Sequence, residues 1–386
     1  MSFAFDWSES VEAVVVATTP EGGAFTATWG YPPDSPCSLN WFAEDGSLVA
    51  SRTWVDSSVY PWAIASDAHG NALLAGFFFG PVDLGGLVLE PADCADCQGQ
   101  QVFVVKLDPL GEPLWAKAFS AMGSHGNALA TAVAAGPAGE VVVGGRVRGP
   151  IDFGTGTLNG EADYDVFVLK LDADGQMVWS QRYGDGDGVD EWYPEAVAVD
   201  HAGNVAFGSP GPIGVMDFGS VTLTGDGDPS DGYVAKLDAD GEALWATALA
   251  GAYVGGVALD SAGNAFAVGG NEGDGLRKLD AATGQFLWHD QSAPGWRVGV
   301  DNCDNAVVAA VSLDHIFKRG PDGQQLGDWS PPSPPPGWTG NHDASRIAFD
   351  ASGSVYFTDH YDSPADFGGG PVSGSVLVRI KQLPGG

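Results

Sequence analysis

The 386-residue sequence predicts an all-β fold, a single seven-bladed β-propeller of four-stranded antiparallel blades, on three observations. Gly accounts for 57 residues, about twice ordinary usage, which disfavours long helices and requires frequent tight turns. A strand–turn–strand pattern ending in Trp recurs along the chain. The first residues read as a strand with no partner of their own, while the last repeat lacks its final strand.

The recurring hairpin is clearest at residues 102–115 (VFVVKLDPLGEPLW), 166–179 (VFVLKLDADGQMVW) and 232–245 (GYVAKLDADGEALW), with a shorter copy at 276–288 (LRKLDAATGQFLW). Alternating apolar residues, an Asp/Gly turn and a second strand carrying Trp make a β-hairpin signature. A second hairpin precedes each, as at 196–207 (AVAVDHAGNVAF) and 256–267 (GVALDSAGNAFA). Its first strand is rich in small apolar residues and is expected to be buried on both faces. One unit is therefore four strands, A to D.

The turn glycines Gly46, Gly111, Gly175, Gly241, Gly284, Gly323 and Gly385 count seven units. The expected blades are residues 10–55, 60–120, 127–184, 194–250, 253–291, 295–330 and 343–386. Residues 1–9, containing Phe3-Ala-Phe-Asp-Trp7, supply the outer strand of the last blade and close the ring. Closure removes exposed strand edges. Blade 1 is the weakest copy, with Ala50 where other blades carry Trp and Trp54 four residues late.

The four longer blades also carry an insert between strands B and C: residues 79–86 (FGPVDLGG), 149–154 (GPIDFG), 214–219 (GVMDFG) and 364–370 (PADFGGG). This order of insert, Phe-Val-x-Lys-Leu-Asp and Trp resembles the SBBP-type bacterial β-propeller repeat. Residues 278–288 are also similar to a quinoprotein (PQQ-type) repeat. The first resemblance covers most of residues 60–386, although blades 5 and 6 lack the insert. It implies a secreted or cell-surface bacterial propeller with no assigned activity.

Charge narrows the partners. Sixteen Lys+Arg stand against fifty Asp+Glu, a net charge of −34, and no basic stripe exists to neutralise phosphates, so no nucleic-acid partner is expected. No run of about 18 apolar residues is present, so no membrane insertion by a helix is expected. The first residues lack the basic and apolar regions of a signal peptide. The expected location is extracellular or cell surface, the leader being absent from this chain, with cytoplasm as the alternative.

The A–B and C–D turns share one face of such a ring, and the longer, less regular B–C and D–A connections share the other, which is expected to be the binding face. Tyr60, Trp62, Trp192, Tyr193, Tyr253, Trp296, Trp338 and His342 fall in or beside those connections. Such rings can stack on sugars or anchor a peptide, or they can staple neighbouring blades. Asp67, Asp200, Asp260, Asp301 and Asp350 end the A strands; capping their own turns is the simpler reading, a cation-binding ring the other. Blade 1 has Thr19 at this position and blade 3 has Gly136.

Asp185, Asp187, Asp190 and Glu191 form an acidic loop that resembles the start of an EF-hand but lacks its twelfth-position Glu and its helices. It is the candidate calcium site; no cofactor is otherwise required. Asp226, Asp228 and Asp231 form a second acidic loop. Cys94 and Cys97 are the candidates for a local disulfide, Cys37 being a second partner for either, and Cys303 is left unpaired. No Gly-x-Ser-x-Gly or His-Glu-x-x-His motif and no adjacent Cys pair occurs. The expectation is a non-catalytic recognition or scaffold protein for a carbohydrate or protein partner. The alternatives are a carbohydrate-active or quinone-dependent enzyme, with Asp190, Glu191 and Glu195 as candidate carboxylates, and a structural part of a surface assembly. Oligomeric state is left open.

Overall fold

A computed structural model describes residues 3–10, 15–28, 37–54, 58–91, 99–160, 163–184, 193–211, 214–225, 228, 230–269, 275–310, 315–330, 347–366 and 371–382. Among them lie seven four-stranded antiparallel sheets and no helix. The innermost strands are Val15–Thr18, Val59–Ser66, Asn127–Ala135, Ala196–Val199, Gly256–Leu259, Arg297–Val300 and Ile347–Phe349. Each touches the next, and the last touches the first, so the ring is closed. Phe3–Ser10 pairs antiparallel with Pro371–Gln382 and completes the seventh sheet, as the orphan strand required.

The burial pattern corrects one expectation. Strand A is not the strand buried on both faces: Ala196–Val199 is half-buried, while its neighbour Val205–Pro210 is buried throughout. The innermost strand lines the central channel, whereas the second strand has a neighbouring blade packed on each side. Hydrophobic clusters accordingly fill the space between blades, as where Phe25, Trp41 and Leu39 meet Leu74, Phe103 and Val105.

Every blade carries the same bulge at the same register. Trp115 faces Lys106 and Pro113 faces Leu107, so Leu114 is skipped. Trp179, Trp245 and Trp288 face Lys170, Lys236 and Lys278 in the same way. In the last blade Trp7 faces Arg379 and Phe5 faces Ile380. The N-terminal strand therefore brings its own Trp to the register that the repeat demands.

The inserts fold as two-stranded hairpins in blades 2, 3 and 4. Each Asp caps its turn, Asp83 accepting from the Gly85 and Gly86 amides and Asp152 from Gly154. The next residue, Leu84, Phe153 or Phe218, is buried. In blade 7 strands B and C instead run on as one long hairpin, Val355–Asp366 with Pro371–Gln382.

The recurring Asp and Lys residues form the seams between blades. Asp67 Oδ1 accepts from the amides of His69 and Asn71, and its Oδ2 lies 2.9 Å from Lys106 Nζ. The pairs Asp200–Lys236 (3.1 Å), Asp260–Lys278 (2.8 Å), Asp301–Lys318 and Asp350–Arg379 (3.3 Å) repeat the arrangement. Where blade 3 has Gly136, the Glu140 carboxylate curls into the space an Asp side chain would fill, within 3.8 Å of Lys170. The cation also reaches forward. Lys106 Nζ donates to the Gly139 carbonyl of the next blade, Lys170 to Gly203 and Lys236 to Gly263. The outer-strand Trp joins it: Trp115, Trp179, Trp245 and Trp288 donate to the carbonyls of Ala173, Ala239, Ala281 and Pro321, each in the following blade's C–D turn.

Burial alone would raise the carboxyls of Asp67, Asp200, Asp260 and Asp301. The hydrogen bonds from Asn and Lys side chains and turn amides outweigh it and hold each below its ordinary value.

Candidate binding face

The B–C and D–A connections bring three aromatic groups to one face of the ring, in separate sectors. In blade 2, Tyr60 stacks on Phe77 with centroids 4.7 Å apart and meets Phe79 edge-on at 5.9 Å, while Trp62 lies 6.5 Å from Phe77. Between blades 5 and 6, Tyr253 stacks on Trp296 at 5.1 Å. Arg297, the next residue, donates to the carbonyls of Glu195 and Gly255 and lies 3.7 Å from the Glu195 carboxylate. All five rings named for this face that are described, Tyr60, Trp62, Tyr193, Tyr253 and Trp296, are half-buried.

The third group differs in kind. Arg146, near the end of strand Val141–Arg148, has its guanidinium 4.5 Å from the centroid of Tyr164 and 5.3 Å from that of Tyr193. Arg148, two residues on and so on the same side of the strand, lies 5.8 Å from Tyr164. The backbone explains the meeting: strand B delivers the arginines, the B–C insert delivers Tyr164, and the D–A connection into the next blade delivers Tyr193. Nearby, Arg182 is committed, bonding Asp165 at 2.6 Å and the Gly149 carbonyl. Arg146 and Arg148 form no ion pair among the described residues, and the Nε of each is buried without a hydrogen-bond partner. Two cations not matched to a carboxylate are notable in a chain of net charge −34.

Chemically, a guanidinium held between aromatic planes keeps its N–H edge for a planar anion such as a carboxylate. The sequence pattern drew attention to Tyr193 but missed the arginines. The signal was present as Arg-Val-Arg at residues 146–148, two cations on one side of a strand in a chain with sixteen Lys+Arg in all.

Other expected sites fare differently. Trp192, Trp338, His342, Asp185, Asp187, Asp190, Glu191, Asp226, Cys94 and Cys97 lie outside the described residues. In the second acidic loop, Asp228 accepts from the Ser230 amide and hydroxyl, and Asp231 accepts from the Gly251 amide at 2.6 Å, so both carboxylates serve turns. Cys37 is free and buried, its thiol pushed up to about 12 by desolvation, and Cys303 is free and exposed. No group of three or more metal-ligating side chains is present among the described residues.

No protein-family model and no curated protein matches the sequence. Among solved structures, the chain is similar to the WD40 β-propeller domain of Doa1, with a TM-score of 0.52 at 9% identity, covering 99% of this chain and 97% of that one. It is also similar to streptogramin B lyase, with a TM-score of 0.52 at 10% identity, covering 97% and 98%. At these identities the likeness shows the fold, a β-propeller repeat protein.

Proposed function

We propose that the protein is a non-catalytic recognition propeller. It holds a carbohydrate or protein partner on the face formed by the B–C and D–A connections, with Arg146 anchoring an anionic group of that partner. The observation that carries this reading is the Arg146 guanidinium set between Tyr164 and Tyr193 with no carboxylate of its own among the described residues. Flanking rings on a rigid ring of sheets suit recognition, because little conformational freedom is lost on binding. We further infer, from the resemblance of the four inserts to SBBP-type repeats, an extracellular or cell-surface setting.

One structural neighbour is a lyase, so catalysis is the competing reading. Against it, the Glu195 carboxylate is tied to Arg297. An array of neutral and uronic-acid oligosaccharides and of acidic and neutral peptides separates the readings. Binding without turnover, weakened about tenfold or more by Arg146→Gln, supports recognition of an anionic partner. Binding that Arg146→Gln leaves unchanged removes the anchor, and reducing ends released from a polymer overturn the non-catalytic assignment.

A further inference from the structure

The opposite face, that of the A–B and C–D turns, carries a cleft of ≈ 310 Å³ at the junction of blades 1 and 2. Its origin lies in a rearranged seam. Register places Trp41 of blade 1 where Lys106, Lys170, Lys236 and Lys278 stand in blades 2 to 5, and places Ala50 where their Trp stands. The Trp41 ring fills the usual Trp seat from the neighbouring strand: a Cβ on Gly111 would lie 2.7 Å from it, just as one on Gly175 would lie 2.7 Å from Trp115. The lysine's seat is thereby vacated, and Thr19 replaces the Asp that would have faced it.

The acceptors of that seat remain. In four of the other described seams, those leading into blades 3, 4, 5 and 1, the A–B turn carbonyl of the next blade receives a Lys or Tyr donor: Gly139, Gly203 and Gly263 from lysines, Gly22 from the Tyr356 hydroxyl. The C–D turn carbonyl receives Trp, Lys or Arg, Glu44 O being bonded by Arg379. The counterparts facing blade 1 are Gly70 and Pro109, both lining the cleft. Among the described residues neither carbonyl receives such a donor. The Glu21 carboxylate stands beside them, its Oε2 lying 3.7 Å from where Gly70 would carry a Cβ, with Pro109 Cγ 3.6 Å from the same point. Trp41 is 4% exposed and its Nε1 has no partner.

We propose that this cleft is a binding site for a primary alkylammonium group, which takes the place of the lysine that blade 1 lacks. The ammonium is held by the Glu21 carboxylate and the Gly70 and Pro109 carbonyls, and its alkyl stem lies on Trp41 and Phe25. The chemistry is that of the four seams of blades 2 to 5, where a lysine meets a carboxylate and a turn carbonyl of the next blade, with the cation supplied from outside. The charge balance favours it, since acceptors without a cation repel one another.

The test is a calorimetric titration of the full chain at low salt with n-butylammonium chloride and with a short lysine-containing peptide. Saturable binding is expected, absent for the Nε-acetylated peptide. A free amine binding as tightly as the peptide identifies a small-molecule ligand, and a peptide binding about tenfold tighter identifies a partner's lysine. Two mild variants shift affinity in opposite senses: Glu21→Gln weakens it about threefold, and Thr19→Asp, which keeps the cap that Thr19 Oγ1 makes to the Gly23 amide at 2.9 Å, strengthens it by a similar factor. The triple change Thr19→Asp, Trp41→Lys, Ala50→Trp rebuilds the regular seam and abolishes binding in a protein whose circular dichroism is unchanged. No saturation by either amine, or binding indifferent to Glu21→Gln and Thr19→Asp, overturns the proposal.

Discussion

Blade 1 and blades 2 to 5 solve one packing problem in two ways. The regular blades place a lysine inside the seam, neutralise it with the Asp that caps their own A–B turn or, in blade 3, with Glu140, and use the outer Trp to tie down the next blade's carbonyl. Blade 1 places Trp41 inside instead, has no carboxylate opposite it, and leaves the indole Nε1 without a partner. Arg52 supplies part of the missing tie by donating to the Gly111 carbonyl at 2.8 Å and pairing with Glu112 at 3.0 Å. Trp54 Nε1 donates to the Leu84 carbonyl at 3.1 Å and the Ser66 hydroxyl to the Thr18 carbonyl at 2.5 Å across the same seam. The comparison teaches that the ring tolerates one seam that lacks the buried lysine–carboxylate pair and is held by apolar contact with these polar ties at its margins.

The largest expected effect follows from how deeply the regular pairs are buried. Lys236 Nζ lies 3.1 Å from Asp200 Oδ2, and both residues are buried. Lys236→Met strands that carboxylate and costs about 3–5 kcal/mol in a denaturant titration. A loss under about 1 kcal/mol in this variant would mean that the charged seam contributes no more than the apolar one, and the contrast between the blades would disappear.

Much of this architecture was legible in the sequence, and particular residues show why. The Trp after the C–D turn in blades 2 to 5 marked the outer strand, and Trp7 at the chain start carried the same mark, so the closing strand was foreseeable. The turn Asp residues were readable as caps because Asp–Gly–Asn spacing is local. Their lysine partners were not recognised, although Lys106, Lys170, Lys236 and Lys278 each sit before Leu-Asp in an otherwise apolar strand. Alternation puts that Lys inside the sheet stack, and the pairing depends on which strand lies beside strand A's turn, a tertiary fact. The cleft was hidden for the same reason: Ala50 was visibly anomalous, yet nothing local says that Trp41 fills the seat from the adjacent strand. The Arg146–Tyr164–Tyr193 group joins two blades, and spacing along one chain does not reveal it.

Acid sharpens the contrast next. The carboxyls of Asp67, Asp200, Asp260 and Asp301 are held below their ordinary value in the folded protein. Their contribution is complete above the unfolded carboxylate pKa, about 3.9, and is lost as pH falls through the folded value. Hydrogen exchange followed by mass spectrometry at pH 6 and at pH 3, corrected for intrinsic rates, is expected to show protection falling at the A–B turns of blades 2, 4, 5 and 6. The Thr19 turn of blade 1 has no such carboxyl and should change less. Equal loss at all five turns would show that acid acts through the net charge of the whole ring and not through the seams.

The smallest effect isolates a single hydrogen bond. Trp245 Nε1 donates to the Ala281 carbonyl at 3.0 Å across a seam, so Trp245→Phe removes that bond along with part of the ring and is expected to cost about 1 kcal/mol or somewhat more. Trp41→Phe removes an N–H that is already buried without a partner. Losing an unsatisfied donor offsets the smaller ring, and the variant should stay within about 0.5 kcal/mol of the parent, measured in the same denaturant series. If Trp41→Phe proves as costly as Trp245→Phe, the Trp41 indole is bonded in solution, and its Nε1 serves the blade 1 seam as the Trp245 Nε1 serves its own.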